Sequence, residues 1–164
     1  MKETLHIKRL TDALGAENAM SRCCGHLAGL IRNGKIRSSF LMIAETARNN
    51  ERVLQDRLEK MGIEDFIPEE RCKLCKIQPE SFSLSGALNL GTEVANVVIR
   101  FYKDLLSFAA DNEDRELFNS LIKEKTRQLD FLKREKKFIH KEEQDDFNAI
   151  DSHCMNEVIS KLWI

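Results

Sequence analysis

The sequence predicts an all-α protein in which four long helices form a bundle and a shorter helix follows. Only two prolines and seven glycines occur in 164 residues, whereas Leu, Ala, Glu, Lys and Arg, which favour helices, are abundant. The 42% hydrophobic content is enough for one domain, 1–164, with a sizeable core. Apolar residues recur at helical spacing in five segments. These segments are about 4–32, 38–61, 83–110, 114–141 and 145–163.

The connections predict two helical hairpins. The joints near residues 32–35 and 110–114 are short, so each flanking pair of helices is expected to be antiparallel. Hairpin 1 then covers about 4–61 and hairpin 2 about 83–141. The single long connection is 62–82, which holds both prolines and opens with a glycine where a helix C-terminal cap is expected.

The two hairpins also match as an internal repeat. A gapless shift of 78 residues aligns identical residues, among them six pairs within the two predicted hairpins. They are Leu10 with Leu88, Arg22 with Arg100, Leu27 with Leu105, Arg37 with Arg115, Phe40 with Phe118, and Leu54 with Leu132. The apolar stripes superimpose under the same shift, which favours two copies of one structural unit.

Charge and composition exclude several classes of partner. The net charge is −1, and the signs are interspersed, so no basic stripe suits nucleic acid or an anionic membrane. The most apolar run, "VANVVIRFYKDLLSFAA", is interrupted by charges, and the N-terminus lacks a signal-peptide pattern. These observations predict a soluble cytoplasmic protein. The five cysteines indicate thiols rather than a disulfide framework.

Charged residues fall at the centres of two of the four predicted inward faces. By helix geometry, the centres of the four stripes are Glu17, Ala47, Ala95 and Lys125. Asn50 and Gln128 lie one turn after the second and fourth of these residues. The repeat relates these positions to one another, so polar side chains are expected to converge at mid-height of the bundle.

The residues around these positions resemble the rubrerythrin branch of the ferritin-like superfamily. The similar stretches are "GAENAMSRCCGHLA", "IAETARNNERVL" and "ALNLGTEVANVVIRFYKDLLSFAADNEDRELFNSLIKEKTRQLDFL", with the aromatic pair Phe101 and Tyr102. The resemblance covers about residues 5–140. It implies a ferritin-like four-helix bundle in which the connection 62–82 crosses the length of the bundle.

Most of the metal ligands that the resemblance implies are absent. The six ligand positions of the family fall on Glu17, Ala47, Asn50, Ala95, Lys125 and Gln128, of which only the first is a family ligand. A di-iron centre needs several carboxylates, completed by imidazoles. Glu45 and Glu124 do not replace them, since they lie about 160° and 100° around the helix from the inward centres. We therefore expect no metal in the bundle, no cofactor and a non-catalytic protein with an interaction or regulatory role.

A lysine at an inward centre requires a partner. We predict that Lys125 neutralises Glu17 where the family holds a metal, that Asn50 and Gln128 donate hydrogen bonds, and that small neighbours leave room. The alternative is that Lys125 and Gln128 extend to a bundle end, with their polar groups in water.

Two other functions are compatible with the sequence. One is an iron-dependent oxidoreductase or peroxidase of the ferritin-like class with an atypical metal site. Another is a thiol or zinc switch at Cys72 and Cys75, whose spacing suits zinc or redox chemistry but lacks a second pair. The adjacent Cys23 and Cys24 favour core filling. His6 and His26 favour solvated or capping roles.

The apolar pattern of the predicted C-terminal helix indicates a protein partner. Its apolar residues form a stripe wider than a surface helix needs. They are Phe147, Ile150, Cys154, Val158, Ile159, Leu162 and Trp163. A homodimer or another protein partner is expected to cover this helix, and the alternative is that it packs on its own bundle.

Overall fold

The computed structural model describes residues 2–64 and 83–139, which form four α-helices and no strand. The helices are α1 (Lys2–Leu30), α2 (Gly34–Lys60), α3 (Leu84–Ser107) and α4 (Asn112–Lys137). Each corresponds to one of the four long predicted segments. The all-α prediction is therefore confirmed for these residues.

Local caps explain where the observed helix bounds differ from the predicted ones. Asn33 Oδ1 accepts a hydrogen bond from the Ile36 N–H at 3.1 Å, so α2 begins four residues before the predicted 38. Asp111 Oδ1 accepts from the Asp114 N–H at 2.9 Å, so α4 begins two residues before the predicted 114. Gly62, at φ +79°, follows α2 in the left-handed region that favours glycine. The two capping residues are separated by the same 78 residues as the sequence repeat.

One end of the bundle holds a cluster of charged side chains, which we call the charged end cluster. Arg57, at the end of α2, donates to three carboxylates at the start of α4, Asp111, Glu113 and Asp114, over distances of 2.6, 2.7 and 3.0 Å. His6 Nδ1, at the start of α1, lies 3.0 Å from Asp114 Oδ2. The Asp114 side chain is fully buried. The prediction of a solvated or capping His6 is therefore wrong, because its ring packs beside a buried carboxylate.

At the opposite end, the start of α2 meets the end of α4. Lys35 Nζ lies 2.9 Å from Glu135 Oε1. The start of α3 is at this end too, since a Cβ added at Gly91 would come within 3.2 Å of side-chain carbons of both Phe40 and Leu132. A glycine at this position therefore allows α3 to approach the start of α2 and the end of α4 closely.

These contacts fix the direction of every helix. Helix α4 runs antiparallel to α2, and α1 runs antiparallel to α3, because Arg9 donates to the Phe108 carbonyl at 2.9 Å. Helices α2 and α3 both begin at the end that carries Lys35, so they run in the same direction. Lys60 and Leu84 consequently lie at opposite ends of the bundle.

The core lies between the four helices and receives residues from all of them. The largest fully buried side chains include Phe40 from α2, Tyr102 from α3 and Phe118 from α4. Burying an aromatic ring of this kind contributes roughly 1.5–3 kcal/mol. Cys23 and Cys24 of α1 are each 4% exposed within this core, as the core-filling interpretation predicts.

Several predicted elements lie outside the described residues. They include most of the connection 62–82, with Cys72 and Cys75, and the C-terminal helix at 145–163 with its apolar stripe. The partner contact of that segment therefore stays a prediction. Among the described helices, none combines the length and hydropathy needed to cross a bilayer.

The charged end cluster predicts an acid-sensitive contribution to stability. The Asp114 N–H hydrogen bond, followed by Arg57, holds the pKa of Asp111 below its usual value. A carboxylate with a lowered pKa stabilises the folded state above its unfolded pKa of about 3.9, and this contribution is lost as pH falls through the lower folded pKa. In Asp111→Asn, which keeps a capping oxygen, we expect lower stability at neutral pH. The difference from the natural chain should shrink on acidification, measured as the free energy of unfolding against pH. A difference independent of pH would contradict this prediction.

Candidate functional site

The inward polar residues meet at mid-height of the bundle, as the sequence predicts. Lys125 Nζ lies 2.8 Å from Glu17 Oε2, and both side chains are 0% exposed. The two residues belong to α1 and α4, the first and last of the four helices. The predicted ion pair is therefore confirmed. The alternative in which Lys125 extends to a bundle end is wrong, because a nearby carboxylate satisfies its ammonium group inside the core.

The Glu17 carboxylate accepts hydrogen bonds from three helices. Oε2 accepts a hydrogen bond from the Lys125 ammonium, and Asn50 Nδ2 lies 3.4 Å from the same oxygen. Oε1 accepts a hydrogen bond from the hydroxyl of Tyr102 at 2.5 Å. Both carboxylate oxygens are thereby satisfied inside the core, which offsets the cost of removing the charge from water.

Sequence reasoning missed the role of Tyr102. The sequence places this residue in an aromatic pair and on an inward stripe, whereas the structure shows that its buried hydroxyl also donates to Glu17. An available signal was that Tyr102 is the protein's one tyrosine and lies on an inward stripe, where a buried hydroxyl needs a partner. Burial raises the pKa of Tyr102 well above its ordinary value, and the negative charge of Glu17 raises it further.

Glu124 also contacts these inward residues, so the expectation that its position on the helix would keep it from the bundle centre is wrong. Its Oε1 accepts from Asn50 Nδ2 at 2.8 Å and lies 3.5 Å from Lys125 Nζ. Its side chain is 32% exposed, so the carboxylate lies between the buried ion pair and the surface. We call Glu17, Asn50, Tyr102, Glu124 and Lys125 the central polar cluster.

Gln128 does not take the predicted part in this cluster. Its Oε1 is buried and has no hydrogen-bond partner, so the expectation that it would bond to the ion pair is wrong. Instead, it lines a pocket between α2 and α4. Of the two amides predicted to contact the ion pair, only Asn50 does so.

The residues at the six implied ligand positions do not fit a metal centre. Ala47 and Ala95 are fully buried alkyl groups, and the amides of Asn50 and Gln128 replace imidazoles. The Lys125 ammonium brings a positive charge to the place where cations would need carboxylates. Across 2–64 and 83–139, no three His, Cys, Asp or Glu residues are grouped to hold an ion.

The phenol of Tyr102 provides a direct test of the central polar cluster. A pKa raised in the folded state stabilises the protein below the unfolded pKa of about 10, and the contribution is lost as pH rises through the higher folded pKa. We expect no phenolate absorbance from the folded protein near the ordinary tyrosine pKa, with ionisation only on alkaline unfolding. The denatured chain should titrate at about 10. Normal titration of the folded protein would contradict the buried hydrogen bond.

Comparison with known proteins supports the fold. No protein-family model matches the sequence, and no curated protein matches it significantly. Among solved structures, the chain is similar to a conserved hypothetical protein from Mycobacterium tuberculosis, with a TM-score of 0.74 and 16% sequence identity. The match covers 85% of this chain and 96% of the other. At this identity the similarity concerns the all-helical fold alone.

Proposed function

We propose that this protein is a non-catalytic member of the ferritin-like superfamily, related to the rubrerythrin branch, in which an ion pair replaces the di-metal centre. The observation that carries the proposal is the contact of 2.8 Å between Lys125 Nζ and Glu17 Oε2, with both side chains fully buried. The ammonium lies at an inward position where the family resemblance implies a carboxylate ligand. The bundle then acts by binding or regulation rather than by redox chemistry.

The helix directions support the ferritin-like part of this proposal. In that fold, one long connection crosses the bundle between the second and third helices, which therefore run in the same direction. Helices α2 and α3 share a direction here, since Lys35 and Gly91 lie near the starts of their helices at one end. A plain up-down bundle would place these two helices antiparallel.

The chemistry of the side chains supports the non-catalytic part. Iron chemistry of the ferritin-like kind needs carboxylates to hold and neutralise two cations. Glu17 already accepts from Lys125 and Tyr102. The second carboxylate of the cluster, Glu124, accepts from Asn50 and lies outside the six ligand positions. A metal would have to displace a buried ammonium group.

Metal analysis of the purified full chain tests the proposal. We expect iron far below one atom per chain after anaerobic incubation with ferrous salt, and no change in Glu17→Gln. The matched control is Glu45→Gln, at an exposed position of α2. About two irons per chain, lost in Glu17→Gln but kept in Glu45→Gln, would overturn the proposal in favour of an atypical iron site. One zinc per chain, lost in Cys72→Ser, would favour the thiol or zinc switch.

A protein partner forms part of the proposed role. The width of the apolar stripe within residues 145–163 leads us to propose a homodimer through this segment. We expect sedimentation of a dimer at micromolar concentration, and of a monomer after deletion of residues 145–164. A full-length monomer at tens of micromolar would contradict this prediction.

A further inference from the structure

A pocket of ≈ 340 Å³ opens between α2 and α4. The two helices are joined on either side of it by ion pairs, Lys35 with Glu135 and Arg57 with Glu113. The pocket is lined mainly by apolar carbon. Its apolar wall includes Met42, Ile43 and Phe131, and its polar residues include Glu124 and Gln128. Its volume is in the range of about 300–1,000 Å³ that small-molecule sites occupy.

The charge beside this pocket is unbalanced. The central polar cluster contains two carboxylates, Glu17 and Glu124, and a single ammonium, Lys125, which lies 2.8 Å from the first and 3.5 Å from the second. With Tyr102 protonated, the cluster carries a net charge of −1. Glu124 is the partly exposed member and lines the pocket. Because a low-dielectric wall strengthens electrostatic interactions, the pocket favours a cation.

The hydrogen-bonding groups also favour a donor in the pocket. The hydroxyls of Ser39 and Thr46, which line it, already donate to the carbonyls of Lys35 and Met42 within their own helix. Gln128, one turn after Glu124, has a buried Oε1 without a partner. Carboxylate and amide oxygens therefore remain as acceptors. Arg127, the cation of the lining, is exposed, and solvent screens its charge.

We infer that this pocket binds a small amphipathic amine, with its ammonium group on Glu124 and its apolar body against Met42, Ile43 and Phe131. The carboxylate supplies a charge-assisted hydrogen bond, which is stronger than a neutral one. An aromatic ring suits the apolar wall, and the volume lies in the small-molecule range. The inference goes beyond the proposed non-catalytic role, and amine binding is measured independently of metal content.

Three indoles that differ in charge test the inference on the full chain. The probes are tryptamine, its neutral alcohol analogue tryptophol, and the anion indole-3-propionate. In a chemical-shift titration we expect saturable shifts of amides near the pocket with tryptamine, and affinity about tenfold lower for tryptophol. The anion should bind more weakly still. No saturable binding of tryptamine at millimolar concentration, or a preference for the anion, would overturn the inference.

Two matched variants locate the binding. Glu124→Gln should lower tryptamine affinity about tenfold and leave tryptophol affinity unchanged, because it removes the charge but not the shape. Ser39→Trp should fill the pocket and abolish binding of tryptamine, whereas Ser38→Trp, at the neighbouring exposed residue outside the lining, should not. Equal tryptamine binding by the Ser39→Trp variant and the natural chain would overturn the inference.

Discussion

Lys125→Met is expected to lower the free energy of unfolding by about 3–5 kcal/mol, because it leaves the Glu17 carboxylate buried without its cation. Tyr102 and Asn50 would still contact Glu17, but neither carries a compensating charge. Equilibrium unfolding in urea measures the loss. Lys123→Met, two residues earlier at an exposed position of α4, is the matched control and should change stability by less than about 0.5 kcal/mol.

The double variant separates the ion pair from general packing. Glu17→Gln alone leaves the buried ammonium of Lys125 without its carboxylate partner, and it should also destabilise the folded protein strongly. Combining Glu17→Gln with Lys125→Met removes both charges, so much of the loss should be recovered. If the double variant were as unstable as the sum of the single variants, the two residues would not act as a pair.

Arg57→Met is expected to destabilise the protein by roughly 2–4 kcal/mol, since it removes the guanidinium from the fully buried Asp114 carboxylate. Arg57 is 13% exposed and contacts three carboxylates, so its loss also leaves like charges together at the start of α4. The control is Lys60→Met. That lysine is 67% exposed and lies 3.4 Å from Glu113, a solvated pair worth less than about 1 kcal/mol. Equal effects of the two variants would contradict the importance of the buried contact.

The sequence was sufficient to identify the inward positions, because helical periodicity determines which side of a helix each residue occupies. Glu17 and Lys125 were expected to meet, since each lies at the centre of an apolar stripe and a buried charge needs an opposite charge. The short joints likewise identified the two antiparallel hairpins. These features depend on local spacing, which a single sequence records directly.

The missed features depend on side-chain reach and on distant contacts. Glu124 starts about 100° from the inward centre, but its long side chain extends around the helix to Asn50. Tyr102 and Glu17 are 85 residues apart, and no local pattern records their distance. Helices α2 and α4 begin earlier than the apolar pattern predicts. Their first turns are set by the capping hydrogen bonds of Asn33 and Asp111, which act on backbone groups rather than on hydrophobic faces.

The distribution of the central charges also affects which hairpins can associate. Glu17 belongs to the first hairpin and Lys125 to the second, so each hairpin carries one member of the buried pair. Two first hairpins meeting in the same geometry would bury two carboxylates together, and two second hairpins would bury two ammonium groups. Like charges at such a contact disfavour wrong pairings. A chain built from two similar halves thereby disfavours pairing of one half with the identical half of a neighbouring molecule.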